Sequence, residues 1–495
     1  MSTSLALSSA AGRWVLVATI LGSALAGIDA TVVNVALPAL GQSLDAGFST
    51  LQWTVSAYAL TLASFILLGG TLGDRFGRRR VFVVGVVWFA VASLACGLSQ
   101  DVGTLIAARA LQGMGAALLT PGSLALLQVT FRAEDRARAI GAWSGLGGVA
   151  TAIGPLLGGW LVDVASWRWV FLINLPLAAL VVWIALRHVP ETHDEGADGT
   201  SVDWTGGVLG AVALAGLTFV LIESSRGPVV VVVAVAVGLA GVVAFLLRER
   251  RAAYPVLPLG VFGSAQFSAV NGVTFLVYGG FGVVFFLLVV RLQEAAGFGP
   301  VAAGSALLPV TVLMLLLSSR SGALAARIGP RLQMSVGPLV CAGGLLLLAG
   351  VGPGDTYLAD VLPGVVVFGL GLSVMVAPLT AAALGAAPDE HAGMASGVNN
   401  AVARTGGLVA VAAIPVLAGV SDGAADGFEH ALWISAAILV GSGVVAALTV
   451  RNDVLEPDAP EPATQHLTHC GVGAPPLAAS CDEQGRLRVT DPPSP

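Results

Sequence analysis

The sequence predicts an all-α membrane protein with fourteen transmembrane helices, and three observations carry that prediction. The first is composition: 56% of the 495 residues are hydrophobic and 11% charged, with a mean hydropathy of +0.88, more apolar surface than a water-soluble fold can bury. The second is the recurrence of apolar stretches of about 20 residues. Each can cross a hydrocarbon core of roughly 30 Å as a helix, which satisfies its own backbone hydrogen bonds in lipid. The third is GTLGDRFGRRR at residues 70–80, an acid and four arginines wedged between two such stretches. Translocating several arginines is costly, so this turn marks a cytoplasmic hairpin.

Span 1, residues 15–38, has a segment Ser23-Ala24-Leu25-Ala26 that imitates a signal-peptide cleavage site. Its apolar run continues to Leu40, longer than a signal core, and so reads as a helix. Spans 2 (52–72) and 3 (81–98) flank the arginine turn, and spans 4 (102–125) and 5 (139–162) are rich in glycine, which permits close helix contact in lipid. Span 6 (169–186) follows WRWVFLINLP from Trp167, whose aromatics suit the outer interface. Spans 7 (204–222) and 8 (229–247) come after a loop, 187–203, rich in Pro, Asp, Glu and Gly and expected to be disordered. Spans 9 to 14 occupy 267–291, 301–317, 333–351, 360–384, 394–418 and 431–450, and a polar tail expected to be disordered follows from 452.

Arginines fix the orientation. Alternate loops hold Arg75, Arg78, Arg79 and Arg80, then Arg132, Arg136 and Arg138, then Arg187, then Arg248, Arg250 and Arg251, then Arg320, Arg327 and Arg331, while the intervening loops hold few. Both termini are thereby placed in the cytoplasm, as an even span count also requires. The net charge of −6 says little, because the acids sit mostly in loops and the tail.

Sliding the chain by 252 positions lays Gly70, Leu72, Arg75, Gly77 and Arg79 over Gly322, Leu324, Arg327, Gly329 and Arg331. Each segment follows the second span of a six-span block if spans 7 and 8 are an insertion. The expected domains are therefore residues 1–190, a two-span insertion 191–255, residues 256–451 and the tail 452–495. Two repeated halves around a midplane cavity are the basis of alternating access.

GTLGDRFGRRR resembles motif A of the major facilitator superfamily, and the fourteen spans resemble its drug:proton antiporter-2 branch, the EmrB/QacA type. IDATVVNVALP from Ile28, ARALQGMGAALLTPGSLAL with Arg109 as the motif B arginine, and Gly145, Gly154, Pro155, Gly158 and Gly159, similar to the antiporter motif C, fit that resemblance. Ala150 stands where motif C often has glycine, and Ala326 where the second motif A would carry its acid. The resemblance implies a major facilitator fold and a proton-coupled multidrug or natural-product exporter.

An ionisable group within lipid is a functional candidate by default. Asp29 lies about 21 Å from the inner end of span 1 and Arg109 about 10 Å from the outer end of span 4, so the two share a height. As neighbours they would pair or compete for a proton. The alternative is that Asp29 only caps or hydrogen-bonds nearby backbone, as Thr31 and Asn34 would then also do. In the cytoplasmic turn formed by Gly70, Gly73, Asp74, Arg75, Gly77, Arg78 and Arg79, the resemblance implies a gate, with Asp74 facing the N-terminus of span 13 near Gly393. Arg75 and Arg79 would be held by Glu134 or Asp135; pure topogenesis is the other reading. Span 5 either bends and slides about Pro155 or simply packs tightly. Asn34, Gln112, Asn400 and Arg404 are candidates for the substrate cavity, Arg404 either binding a polar substrate group or satisfying backbone.

Lysine is absent, so no phosphate-binding Walker motif exists, and glycine patterns lie inside spans rather than at strand-to-helix turns. No enzyme and no cofactor are expected, the proton gradient supplying the energy. Cys96 and Cys341 lie in apolar runs, Cys470 and Cys481 in the tail, with no disulfide framework. The tail cluster of His466, His469 and Cys470 lacks a fold to preorganise a metal. The expected partners are a lipophilic small molecule, protons and lipid, with no nucleic acid, acting as a monomer in a bacterial-type plasma membrane. Uptake or facilitated diffusion is the alternative; a sensor would need a folded domain larger than the tail.

Overall fold

A computed structural model describes residues 5–193, 201–224, 226–387, 392–420, 425–455, 479–481 and 487–489. It contains fourteen helical spans long and apolar enough to cross a membrane. They are built from α1 (Ala10–Leu44), α2 (Phe48–Phe76), α3 (Arg78–Leu98), α4 (Val102–Thr130), α5 (Ala133–Val164), α6 (Trp169–Leu172), α7 (Asn174–His188), α8 (Trp204–Ile222), α9 (Pro228–Arg251), α10 (Ala265–Glu294), α11 (Pro300–Ser305), α12 (Leu308–Ile328), α13 (Arg331–Leu348), α14 (Leu362–Gly385), α15 (Ala392–Leu417) and α16 (Ala425–Thr449). Two spans are each broken into a pair, α6–α7 and α11–α12, and the second break falls just before Pro309, which cannot donate to the preceding turn. Several helices outrun their apolar stretches. Side-chain caps explain some of the starts: Ser9 accepts from Gly12, Asp101 from Thr104 and Ser264 from Phe267. The two hydrogen bonds from Thr104 also hold the Asp101 carboxyl below its usual range.

The helices of α1–α7 and of α10–α16 pair in the same pattern. α2 and α3 pack on α4, α1 packs on α5, and α3 and α1 pack on α7; correspondingly, α12 and α13 pack on α14, α10 on α15, and α13 and α10 on α16. The repeat seen in the sequence is thus a repeat of packing. It extends to backbone detail: Gly77 and Gly329, 252 positions apart, end α2 and α12 at φ +103° and +81°, where a side chain would be strained.

Each of these turns is covered by the chain leaving the last helix of its own half. Glu191 Oε1 accepts from Arg79 N (3.1 Å), and Asn452 Oδ1 accepts from Arg331 N (3.2 Å). An orphan N–H at the start of α3 or α13 gains a partner this way. Residues 189–193 and 452–455, expected to be disordered, are therefore ordered against helix ends. The rest of the expected loop disorder falls mostly outside the described residues, as do His466, His469 and Cys470. The described residues up to 455 form one unit, and in a second β1 (Ala479–Cys481) pairs antiparallel with β2 (Leu487–Val489).

The inserted pair packs glycine to glycine, Gly216 of α8 against Gly238 of α9. α8 lies against both α2 and α15. Trp53 Nε1 donates to Glu223 Oε1 (3.0 Å) at one end, and Arg248 Nε donates to Asp203 Oδ1 (3.0 Å) at the other.

The core divides by depth. Toward the face bearing Arg75–Arg80, here the arginine face, one cluster joins α1–α4 and α7 through Leu25, Phe82, Phe89 and Leu126. Toward the opposite face a single cluster crosses between the halves, from Val32–Leu40 of α1 and Leu51 of α2 to Val283–Leu292 of α10 and Ala410–Ala418 of α15. The two halves are sealed together there.

Candidate functional site

Asp29 is fully buried in the first half, and its carboxylate is saturated with donors. Oδ2 accepts from Arg109 Nη1 of α4 at 2.5 Å; Oδ1 accepts from Gln112 Nε2 (2.8 Å) and Asn174 Nδ2 of α7 (3.0 Å). Ser93 Oγ on α3 accepts from Gln112 and Asn174 and donates to Phe171 O (2.9 Å). Arg109 is as deeply placed. Its Nε donates to Thr54 O (3.1 Å), Nη1 also to Gln112 Oε1 (2.7 Å), and its guanidinium lies 4.3 Å over the Tyr58 ring. One turn of α4 separates Arg109 from Gln112, which is why both reach the same carboxylate.

Two of the alternatives for Asp29 are thereby decided. The acid does not hydrogen-bond local backbone; it pairs with Arg109, while Thr31 does turn to backbone, at Gly27, Ile28 and Thr151. Gln112, expected in the cavity, is instead buried with both amide ends used in this network. Asn34 is buried with its Oδ1 lacking a hydrogen-bond partner, and Asn400 is half-buried. Arg404 is exposed, on the same helix as Ala403 and Leu408, which are buried. Sequence reasoning missed Ser93, Asn174 and Tyr58. Asn174 left a trace, a lone amide in the apolar run of span 6.

At the arginine face, Asp74 binds Arg78, one turn away, at 2.7 Å, and its other expected partner, the end of α15 near Gly393, borders residues outside the described ones. The partner of Arg79 is Glu191, not Glu134 or Asp135, and Arg79 Nη1 also donates to Val189 O (3.1 Å). Glu134 and Asp135 pair with Arg132 and Arg138. Gly77 needs its hydrogen side chain, since a Cβ would meet the Glu191 carboxylate; Gly70 and Gly73 are not crowded, and the Arg75 guanidinium lies 5.2 Å over the Phe76 ring.

α5 is divided along its length. A Cβ at Gly154 or Gly158 would collide with α1, at Thr31 and Val32, and one at Gly159 with the Pro300 carbonyl; conversely, one at Gly304 of α11 would collide with the Pro155 carbonyl. A Cβ at Gly141, Gly145, Gly147 or Gly148 would meet nothing within 4 Å. α5 therefore packs on α1 and α11 near the opposite face and has open space beside it toward the arginine face, where α2 still meets α15 at Leu67.

Two amides reinforce the closed end. Gln52 Nε2 of α2, almost completely buried, donates to the Val411 carbonyl of α15 at 2.5 Å and to Ala412 O at 3.1 Å. Val411 would ordinarily be bonded by the N–H four residues on, but that residue is Pro415, so its carbonyl is left for Gln52. Gln293 Nε2 of α10 likewise donates to Val35 O of α1 (3.0 Å). A cleft of about 530 Å³, lined by Gln42, Asp45, Phe48, Arg291 and Phe428 among others, lies on this face above the seal.

A sequence profile of the Major Facilitator Superfamily matches residues 19–411. The chain belongs to the major facilitator superfamily. Among its relatives are the multidrug resistance protein Stp of Mycobacterium tuberculosis, 36% identical over 434 residues, 86% of this chain and 76% of that one. The puromycin resistance protein pur8 of Streptomyces alboniger is 36% identical over 456 residues, 89% and 86% of the two chains. The tetracenomycin C resistance and export protein of Streptomyces glaucescens is 37% identical over 413 residues, 81% and 75%. The solved structure of a peptide transporter POT in complex with sulfate superposes with a TM-score of 0.66 at 14% identity, covering 90% of this chain and 96% of that one. A D-xylose-proton symporter gives 0.65 at 15%, covering 89% and 98%. At such identity these structures share the fold alone. This major facilitator chain is thus a multi-pass membrane protein whose matched region includes Asp29, Arg109 and Arg404.

Proposed function

We propose that the chain is a proton-coupled exporter of lipophilic small molecules, a substrate/H+ antiporter that works by alternating access. Its arginine face, with both termini, lies in the cytoplasm of a bacterial-type plasma membrane, and the conformation described above is then open inward. It acts as a monomer of two six-span halves with α8–α9 as an insertion, is driven by the proton gradient without a bound cofactor, and is a transporter rather than an enzyme. The resistance and export proteins to which it is similar support the class of cargo.

The observation that carries the reading is the buried Asp29–Arg109 pair. Mutual attraction and four further hydrogen bonds, with Thr54, Gln112 and Asn174, compensate these charges. Protonating Asp29 would remove the charge that balances Arg109, and a buried charge that loses its partner is unfavourable by several kcal/mol. The network must then rearrange across α1, α4 and α7, and α1 is the helix that carries both α5 and α10. A proton at Asp29 would in this way be felt at the contacts between halves.

Inverted membrane vesicles loaded against a panel of lipophilic compounds test this. Asp29→Asn should lower pH-driven transport at least tenfold while leaving exchange of labelled for unlabelled substrate intact. Unchanged pH-driven transport by the folded variant would remove Asp29 from the coupling step.

A further inference from the structure

Arg404 has no role in the network around Asp29, and its environment assigns it one. It lies twelve residues into α15 and thirteen from its end, about 18 Å from the arginine-face end of the helix. Among the described residues it forms no ion pair and no hydrogen bond, and every carboxylate of the spans other than Asp29 lies at or near a helix end. Asp29 is already saturated by Arg109, Gln112 and Asn174. The mid-depth charges thus sum to one excess positive charge, carried by Arg404.

At 100° per residue, α15 turns Gly397, Ala401, Leu408 and Ala412 toward one side, where Gly397 would meet Leu67 of α2 and Gln52 of α2 reaches Val411 and Ala412. It turns Ala403, Gly406 and Ala410 toward α10, where Gly406 lies against the Phe275 backbone. Asn400 and Arg404 fall on the arc between these stripes, which faces the seam of the two halves, with Gly407 at its α10 edge against Gly282. A Cβ at Gly407, one turn beyond Arg404, would lie 3.8 Å from the Tyr278 carbonyl of α10. Tyr278 continues into an aromatic ladder on α10, with Phe281 at 4.8 Å and Phe285 6.0 Å further on.

We infer that Arg404 is the anchor for an anionic head group and that the central site selects lipophilic organic acids, bound as their anions with the hydrophobic body against Tyr278 and Phe281. An arginine fork matches a carboxylate in two parallel hydrogen bonds. Closing the cavity over an unpaired guanidinium desolvates a charge without compensation, whereas closing it over an arginine–carboxylate pair does not. The anion-loaded protein therefore closes more readily than the protein with the site empty. This rests on the transport reading above and deepens it by naming the chemistry of the cargo.

The test is equilibrium binding to the full-length protein in lipid nanodiscs at pH 5.5, where fluorescein carries its carboxylate as the lipophilic anion, its methyl ester is the largely neutral probe lacking that group, and ethidium is a cation. The wild type should bind fluorescein at least tenfold more tightly than the ester or ethidium. Arg404→Gln should abolish that tenfold preference without weakening the ester, and Arg404→Lys, which keeps the charge and loses the fork, should retain part of it. A wild type that prefers ethidium, that binds no fluorescein, or whose three affinities fall together in Arg404→Gln overturns the inference. Proteoliposomes separate it from the transport reading. Ethidium exchanged for protons without anion binding leaves the exporter and removes the anion site; Arg404-dependent fluorescein binding with transport indifferent to an imposed pH difference leaves the anion site and removes proton coupling.

Discussion

At the scale of single residues, the charge pair dominates because both members are buried and each has other polar partners. Removing one partner of such a pair leaves an uncompensated charge, at a cost of about 3–5 kcal/mol. Arg109→Ala should therefore destabilise the protein by that order, because Asp29 stays behind with only two amides. Arg109→Ala in an Asp29→Asn background should be milder by at least 1 kcal/mol, since no charge remains to strand. Thermal or denaturant unfolding of the three variants in detergent closes the cycle; strictly additive effects would show that the pair is not energetically coupled. Asp29 and Arg109 were legible in the sequence because an ionisable group inside an apolar run has no bland explanation, and counting residues placed them at one height. Their supporters were not. Ser93 and Asn174 are small and neutral, cost little in lipid, and declare themselves only when α3 and α7 are brought to the same carboxylate. Gln112 was visible as polar yet misplaced, since spacing alone does not tell which face of α4 meets the cavity.

Among the elements, α5 and α15 carry the conformational asymmetry. The glycines of α5 that touch α1 and α11 belong to the closed end, and Gly145 and its neighbours belong to the open one. A bulky side chain at Gly145 is accommodated here and would obstruct the closure that alternating access demands. Gly145→Leu should fold, retain substrate binding from the arginine face, and lose transport by more than tenfold; full transport would mean that α5 does not close on its partner at this level. The opposite end is governed by Gln52. Gln52→Leu leaves the Val411 carbonyl, already deprived by Pro415, without a donor, a loss of about 1–3 kcal/mol that falls on the closed state alone. The population should shift toward opening at the opposite face, read as faster labelling by a membrane-impermeant maleimide of a cysteine placed at Leu51. Unaltered labelling would remove Gln52 from the seal. Pro415 and Gln52 are each visible in the sequence, but a carbonyl orphaned by one and satisfied by the other, across 359 residues, is a tertiary fact. The matched caps at Glu191 and Asn452 escaped for the same reason. The repeat at Gly77 and Gly329 was readable, whereas the segments that cover those turns share no sequence.

For the molecule as a whole, the insertion makes the two sides of the seam unequal. α8 lies on both α2 and α15, so it bridges the halves along one side, with Gly207 against Phe65 and Leu68 of α2. On the other side the close contacts of α5 with α11 lie toward the opposite face, and the α5 glycines toward the arginine face have open space beside them. Rocking should then hinge along the α2–α8–α15 side and swing the α5–α12 side. Two cysteine pairs distinguish this from a symmetric motion. Leu68→Cys with Gly207→Cys joins α2 to α8, and a short bifunctional cross-link there should leave at least half of the transport rate, because that contact moves as a body. Gly148→Cys with Leu316→Cys lies on the other side, each residue sixteen positions from the opposite-face end of its span and so at a common depth of about 24 Å. This second pair should cross-link only when the arginine face closes, more readily in a variant biased that way by Gln52→Leu, and cross-linking should stop transport. Equal inhibition by both pairs would mean that α8 is carried across the seam rather than riding beside the hinge, and the insertion would then belong to the moving machinery.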